Sequence, residues 1–147
     1  MLRAAVAALA KIAHVGRVSR VYETAPVGGP SQPDYLNAAA LLRFAGDPEA
    51  LLEALQGIEL GLGRQRTERW AARTIDLDVL WIEGLALESE RLTVPHPRLA
   101  TRAFALRPLI DLVPDAIDPE SSLPYARLAA TADEGVRLTT YDLAGPS

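Results

Sequence analysis

The sequence contains no cysteine. That excludes disulfides, thiolate metal sites and thiol nucleophiles, and it fits a reducing cytoplasm. Lysine occurs once, at Lys11, so nearly all of the 15 basic residues are arginine, and the net charge is −4. An acidic balance of this kind argues against a general nucleic-acid surface. No apolar run approaches the roughly 18 residues of a membrane span. The alanine-rich start, Met1 to Ala13, lacks the basic region and long apolar core of a secretory signal. What the chain does have is 49% hydrophobic residues in 147 positions, enough for a substantial core and one compact domain over residues 1–147.

The most informative stretch runs from Arg69 to Leu80 and reads RWAARTIDLDVL. Ile75, Leu77, Val79 and Trp81 alternate with Asp76, Asp78, Leu80 and Ile82, the period-2 pattern of a strand. Both aspartates then share one face, about 7 Å apart. An Asp-x-Asp alone is more often a solvated strand face than a metal site. Here the other face is that of a core strand, and Asp is depleted in strands, so the pair requires a reason. Two neighbouring carboxylates repel each other, and Mg²⁺, which binds one or two carboxylates together with waters and nucleotide phosphates, relieves that repulsion. Arg64, Arg66, Arg69 and Arg73 fall within ten residues. In an acidic protein that local excess reads as a dedicated phosphate site on a glycine-hinged loop.

Along the chain, Leu2, Val6, Leu9 and Ala13 predict a helix over 2–13 that ends near Gly16. Residues 17–24 read as a strand. Residues 25–34 hold three prolines and two glycines and read as a long functional loop. Residues 35–44 are expected to return as the antiparallel partner. Asp47-Pro48 marks a helix start, with the apolar stripe Leu51, Leu52, Leu55, Ile58 and Leu62 ending at Gly63. Then follow the Asp76 strand, a short strand or hairpin arm over 85–93, and an extended crossing at Val94-Pro95-His96-Pro97. A helix over 98–112 comes next, kinked or ended by Pro108, then a short helix near 124–131 and an edge strand within 136–143. The order α, β, β, α, β matches a ferredoxin-like β-α-β-β-α-β unit, an α+β sandwich with an antiparallel sheet, whose first strand is absent.

Four segments in order resemble one family. They are Tyr22-Glu23-Thr24-Ala25-Pro26-Val27-Gly28; Gln32-Pro33-Asp34-Tyr35-Leu36-Asn37-Ala38; Arg69-Trp70 with Arg73 to Asp78; and Leu92 to Arg98 through Arg102-Ala103-Phe104. Together they are similar to 6-hydroxymethyl-7,8-dihydropterin pyrophosphokinase, a folate-pathway enzyme that moves diphosphate from ATP to a pterin alcohol. The resemblance covers nearly the whole chain. It implies that Asp76 and Asp78 bind two Mg²⁺ ions bridging the ATP phosphates, and that Arg64, Arg66 and Arg73 are phosphate-binding and catalytic, with Trp70 closing over them. It places Gln56, Glu59, Arg91, Thr93, His96 and Arg102 around the nucleotide. Thr24, Ala25, Val27, Tyr35, Asn37 and Phe104 fall in the pterin pocket.

Each role suits its residue. Two aromatic rings can sandwich a flat bicycle, and the amide of Asn37 offers donor and acceptor together, as the pterin edge does. By themselves, Tyr35 and Phe104 would more often be core, and His96 a surface histidine. The implied partners are ATP and the pterin, with no nucleic acid and no membrane, and the expected state is a cytoplasmic monomer. Two departures stand out: Ala71-Ala72 replaces the family's Gly-Pro, and the family opens with a strand and a Gly-Ser-Asn loop ahead of its first helix. The second leads to the expectation that Met1 is not the natural first residue. It also leaves a non-catalytic pterin- or nucleotide-binding relative as the alternative, with a Mg²⁺-dependent phosphohydrolase as a third reading.

Overall fold

The computed structural model describes residues 2–24, 35–64, 75–132 and 136–143. Helix α1 spans Leu2–Ile12 and buries Ala5 and Leu9. It stops short of Gly16, which lies instead within strand β1 (His14–Val18). There the register against strand β4 (Ala40–Arg43) shifts between Val15 and Arg17, so Gly16 takes up the extra residue of a bulge.

The strands expected over 17–24 and 35–44 are each broken in two. Strand β2 (Tyr22–Thr24) pairs antiparallel with β3 (Tyr35–Asn37), and β1 pairs antiparallel with β4. The break falls at Ser19, which is only 4% exposed. Its N–H donates to the Ala39 carbonyl at 2.8 Å, while its Oγ accepts from the Ala39 N–H at 2.8 Å and donates to the Arg20 carbonyl at 2.7 Å. A side-chain hydroxyl thus stands in where the ladder lapses, satisfying a donor that burial would otherwise leave unpaired. Strand β7 (Val136–Leu138) adds to the other edge of β2, the position expected of an edge strand.

Helix α2 (Pro48–Arg64) starts as the Asp-Pro signal predicts: Asp47 Oδ1 accepts from the Ala50 N–H at 2.8 Å. It and α1 pack on β1 and β4 through Leu9, Leu55, Val15 and Leu42. Helices on an antiparallel sheet give the α+β sandwich of the ferredoxin-like type. A second cluster gathers Leu99, Leu106, Leu109, Ala116, Tyr125 and Ala129. It joins helix α3 (Ala103–Leu112) to α4 (Tyr125–Ala132), with a 3-10 turn over Leu99–Thr101. The helix expected over 98–112 is therefore divided at Arg102. Pro108 does not end it, because that buried ring is packed within a helix otherwise anchored by Leu106, Leu109 and Leu112. Strands β5 (Leu87–Glu88) and β6 (Thr93–Val94) make the small hairpin anticipated there.

The strand expected over 75–82 needs correction. The segment carries the alternating burial of a strand yet joins no ladder among the described residues. A ladder requires a partner edge, and β4, which pairs with β1 on one side, is separated from this segment by a cleft on the other. Side-chain burial holds the segment instead. Ile75 packs with Ala5 and Leu62, and Val79 with Leu9 and Leu55, each fully buried aliphatic contributing roughly 1.5–3 kcal/mol.

Candidate active site

Alternation along residues 75–79 decides where the carboxylates go. With Ile75 and Val79 turned to the helices, Asp76 and Asp78 are both exposed. Two contacts fix the backbone between and beyond them. Glu59 Oε2 on α2 accepts from the Leu77 N–H at 2.6 Å, and the His96 N–H donates to the Leu80 carbonyl at 2.8 Å.

Both aspartates open onto a cleft of about 2710 Å³. Three residues from the far end of the hairpin, Thr24, Tyr35 and Asn37, line the same cleft, as do Arg102 and Phe104 at the start of α3. Asn37 Nδ2 donates to Thr24 Oγ1 at 3.4 Å, a long bond that ties the amide to the neighbouring strand. The guanidinium of Arg102 sits 5.3 Å from the Phe104 ring centroid, close enough for a cation–π attraction. Tyr35 is 42% exposed, so its ring is not committed to the core.

The remaining expected residues are distributed differently. Gln56 is exposed on α2, and Glu59 turns toward Leu77 rather than toward open space. Arg91 lies 3.9 Å from Glu53 with both side chains largely exposed, a pair that contributes little. Thr93 pairs with Glu88 in the β5–β6 hairpin. His96 Nδ1 accepts from the Arg98 N–H at 3.2 Å. None of these five lines the Asp76–Phe104 cleft; Glu59 and His96 reach the site through the backbone of residues 77 and 80. Ala25, Val27, Arg66, Trp70 and Arg73 lie outside the described residues, as does the side chain of Arg64.

One cluster has no signal in the sequence. Asp111 on α3 accepts from Arg20 Nη2 at 2.6 Å and from the Tyr22 hydroxyl at 3.0 Å. Arg20 adds its Nε at 3.1 Å and its backbone N–H at 3.2 Å. Burial opposes ionisation of Asp111, but the guanidinium and the hydroxyl outweigh it and hold the carboxyl below its ordinary range. Burial and this carboxylate push the Tyr22 phenol up. The cluster clamps β2 to α3, and so sets Thr24 and Asn37 opposite Phe104. Its members stand about 90 residues apart in sequence, beyond the reach of any local pattern.

A hard-cation site is compatible with this donor set. Two exposed carboxylates on one face of an extended segment suit Mg²⁺, which takes the rest of its oxygen ligands from water and phosphate. Among the described residues there is no cluster of three or more His, Cys, Asp or Glu to make a closed protein cage.

A sequence model of the 7,8-dihydro-6-hydroxymethylpterin-pyrophosphokinase family matches residues 1–114. The chain belongs to that family. The chain is 43% identical over 139 residues to the 2-amino-4-hydroxy-6-hydroxymethyldihydropteridine pyrophosphokinase of Bacillus subtilis, covering 93% of this chain and 80% of the relative. It is 41% identical over 134 residues to the protein of the same name from Synechocystis, covering 90% of this chain and 68% of that one. A third pyrophosphokinase, from Pseudomonas aeruginosa, is 44% identical over 119 residues, 81% of this chain and 74% of the relative. The pyrophosphokinase match takes in every candidate site residue named above and stops before α4 and β7.

Proposed function

We propose that this protein transfers diphosphate from ATP to 6-hydroxymethyl-7,8-dihydropterin, giving AMP and the pterin diphosphate in folate biosynthesis. The observation that carries the reading is the family match over residues 1–114, within which Asp76, Asp78, Asn37 and Phe104 open onto one cleft. The pterin hydroxymethyl oxygen attacks the β-phosphorus of ATP and loses its proton, and the bond from that phosphorus to the AMP oxygen breaks. No side chain forms a covalent bond, so the protein contributes by positioning and by charge.

Tyr35 and Phe104 stack on the pterin, and Asn37 pairs with its amide edge. Asp76 and Asp78 would hold Mg²⁺, which supplies positive charge against the phosphate oxygens. Glu59 and the His96 backbone keep the aspartate segment from shifting. Arg64, Arg66 and Arg73, with Trp70, complete the phosphate side, while Gln56, Arg91, Thr93, His96 and Arg102 surround the nucleotide. The reading carries with it a cytoplasmic, monomeric enzyme that needs neither nucleic acid nor membrane; no described helix is long and apolar enough to cross one.

Incubation with ATP, Mg²⁺ and the pterin tests this. AMP should form only when the pterin is present, in equal amount with pterin diphosphate. ATP breakdown independent of pterin would make the protein a phosphohydrolase, and ligand binding without AMP would make it a binding protein.

A further inference from the structure

The bond between Tyr22 and Asp111 lies outside the cleft, yet it sits on both of the elements that wall the proposed pterin site. Tyr22 pairs directly with Asn37, and Thr24 with Tyr35. Residues opposite each other in a ladder share a face, as do alternate residues of one strand. Tyr22, Thr24, Tyr35 and Asn37 therefore form one patch on one side of β2 and β3. On α3, Phe104 and Asp111 fall on one stripe, about two turns apart. Patch and stripe meet at two levels. At one, Thr24, Tyr35 and Asn37 reach the cleft together with Phe104. At the other, the Tyr22 hydroxyl lies 3.0 Å from both Asp111 oxygens, and neither residue lines the cleft.

Both partners of that bond are held. Tyr22 is buried. Arg20 grips Asp111 in a fork through Nε and Nη2, and its guanidinium also stands 5.8 Å from the Tyr22 ring centroid. A forked ion pair fixes direction as well as distance, so the bond acts as a spacer of set length between sheet and helix. The neighbouring gap has little tolerance. A flat ring between two faces touches each at about 3.5–4.0 Å, and an opening of about 0.5–1 Å forfeits roughly a quarter to a half of the attraction. We infer that Tyr22 and Asp111 are positioning residues for the pterin: their hydrogen bond sets the separation between Phe104 and the Tyr35–Asn37 patch, and so how tightly the ring is gripped. Neither touches the ligand. The inference takes the identity of that ligand from the diphosphate-transfer reading and adds a determinant of its affinity outside the pocket. The aspartate segment is seated separately, with Ile75 and Val79 packed on α1 and α2, so the nucleotide side is indifferent to the spacer.

Steady-state kinetics on the full chain, with ATP and the pterin varied in turn, tests this. Tyr22→Phe keeps the ring and removes the hydroxyl. It should raise the pterin KM about fivefold or more and leave the ATP KM within about twofold of the parent. Asp111→Ala should do the same, and the double variant should be no worse than the more affected single, because all three lose one contact. Ala129→Gly, in the buried cluster that joins α3 to α4, lowers stability away from β2 and should leave both KM values at the parent's. Should Asp111→Ala not fold, Tyr22→Phe decides alone. An unchanged pterin KM in Tyr22→Phe overturns the inference, while turnover by the parent still upholds the reading. Equal rises in both KM values, or a rise in Ala129→Gly as well, also overturn it, since general loosening moves them together. A parent that makes no AMP with the pterin present overturns the reading, and the inference with it.

Discussion

Glu59 Oε2 lies 2.6 Å from the Leu77 backbone nitrogen, and Leu77 is the residue between the two exposed aspartates. A helix side chain therefore anchors the segment where a neighbouring strand would ordinarily do so, and a bond to a charged acceptor contributes about 1.5–3 kcal/mol. In the proposed reading this makes Glu59 a positioning residue. Glu59→Ala should lower kcat several-fold and weaken Mg²⁺ dependence of turnover toward higher concentrations. Glu59→Gln, which keeps an acceptor oxygen, should recover most of the loss. If both variants instead raised the ATP KM equally with kcat unchanged, Glu59 would be a nucleotide contact as the family resemblance implies.

The aspartates themselves allow a sharper expectation. Asp76→Asn and Asp78→Asn keep the shape of each side chain and remove the charge that attracts a hard cation. Both side chains are exposed, so thermal stability should stay within about 0.5 kcal/mol of the parent. AMP production should fall to near background in each. A variant retaining most of the parent's rate would remove that aspartate from the metal site.

In the proposed reading the aromatic pair serves the other ligand. Phe104→Ala and Tyr35→Ala should each weaken pterin binding by about 0.5–1.5 kcal/mol from lost stacking, before any loss of burial. ATP affinity should be unchanged. Calorimetry showing the reverse would mean that the rings serve the nucleotide.

Acid should loosen the clamp between β2 and α3. Asp111 has its pKa depressed in the folded state, so its contribution is present above the unfolded value of about 3.9 and is lost as pH falls through the lower folded value. Arg20 remains charged throughout and, with its side chain 62% exposed, limits the effect through solvent screening. Asp111→Asn should cost on the order of 1–2 kcal/mol at neutral pH, with the gap from the parent narrowing below pH 4. Denaturant titrations at pH 7 and pH 3 measure it. A gap that does not change between them would mean that the charge is immaterial.

Patterns confined to one element were readable in the sequence, and those requiring a distant partner were not. The spacing of Leu2, Val6 and Leu9 and the Asp47-Pro48 signal place α1 and α2, because helix hydrogen bonds and caps are local. The alternation from Ile75 to Val79 gives the correct exposed and buried faces. It does not give a ladder, because side-chain period says which way residues point and nothing about whether an edge lies alongside. The split at Ser19 was hidden for a similar reason: a buried serine looks like any polar strand residue until Ala39 is brought against it. Of the candidate site, Thr24, Tyr35, Asn37, Arg102 and Phe104 line one cleft with the two aspartates. The contacts of Glu59 and His96 with residues 77 and 80 were not legible, because each meets a backbone atom of a segment distant in sequence.

The interruption at Ser19 separates what the hairpin carries at its two ends. Beyond it, β2 and β3 present the residues assigned to the pterin; before it, β1 and β4 underlie the helices that seat the aspartates. An unbroken ladder would transmit a slip or a twist at one end as a displacement at the other. The Ser19 hydroxyl joins two ladders instead of continuing one, so the pairing that places Thr24, Tyr35 and Asn37 is separate from the pairing beneath the helices that pack on the aspartate segment.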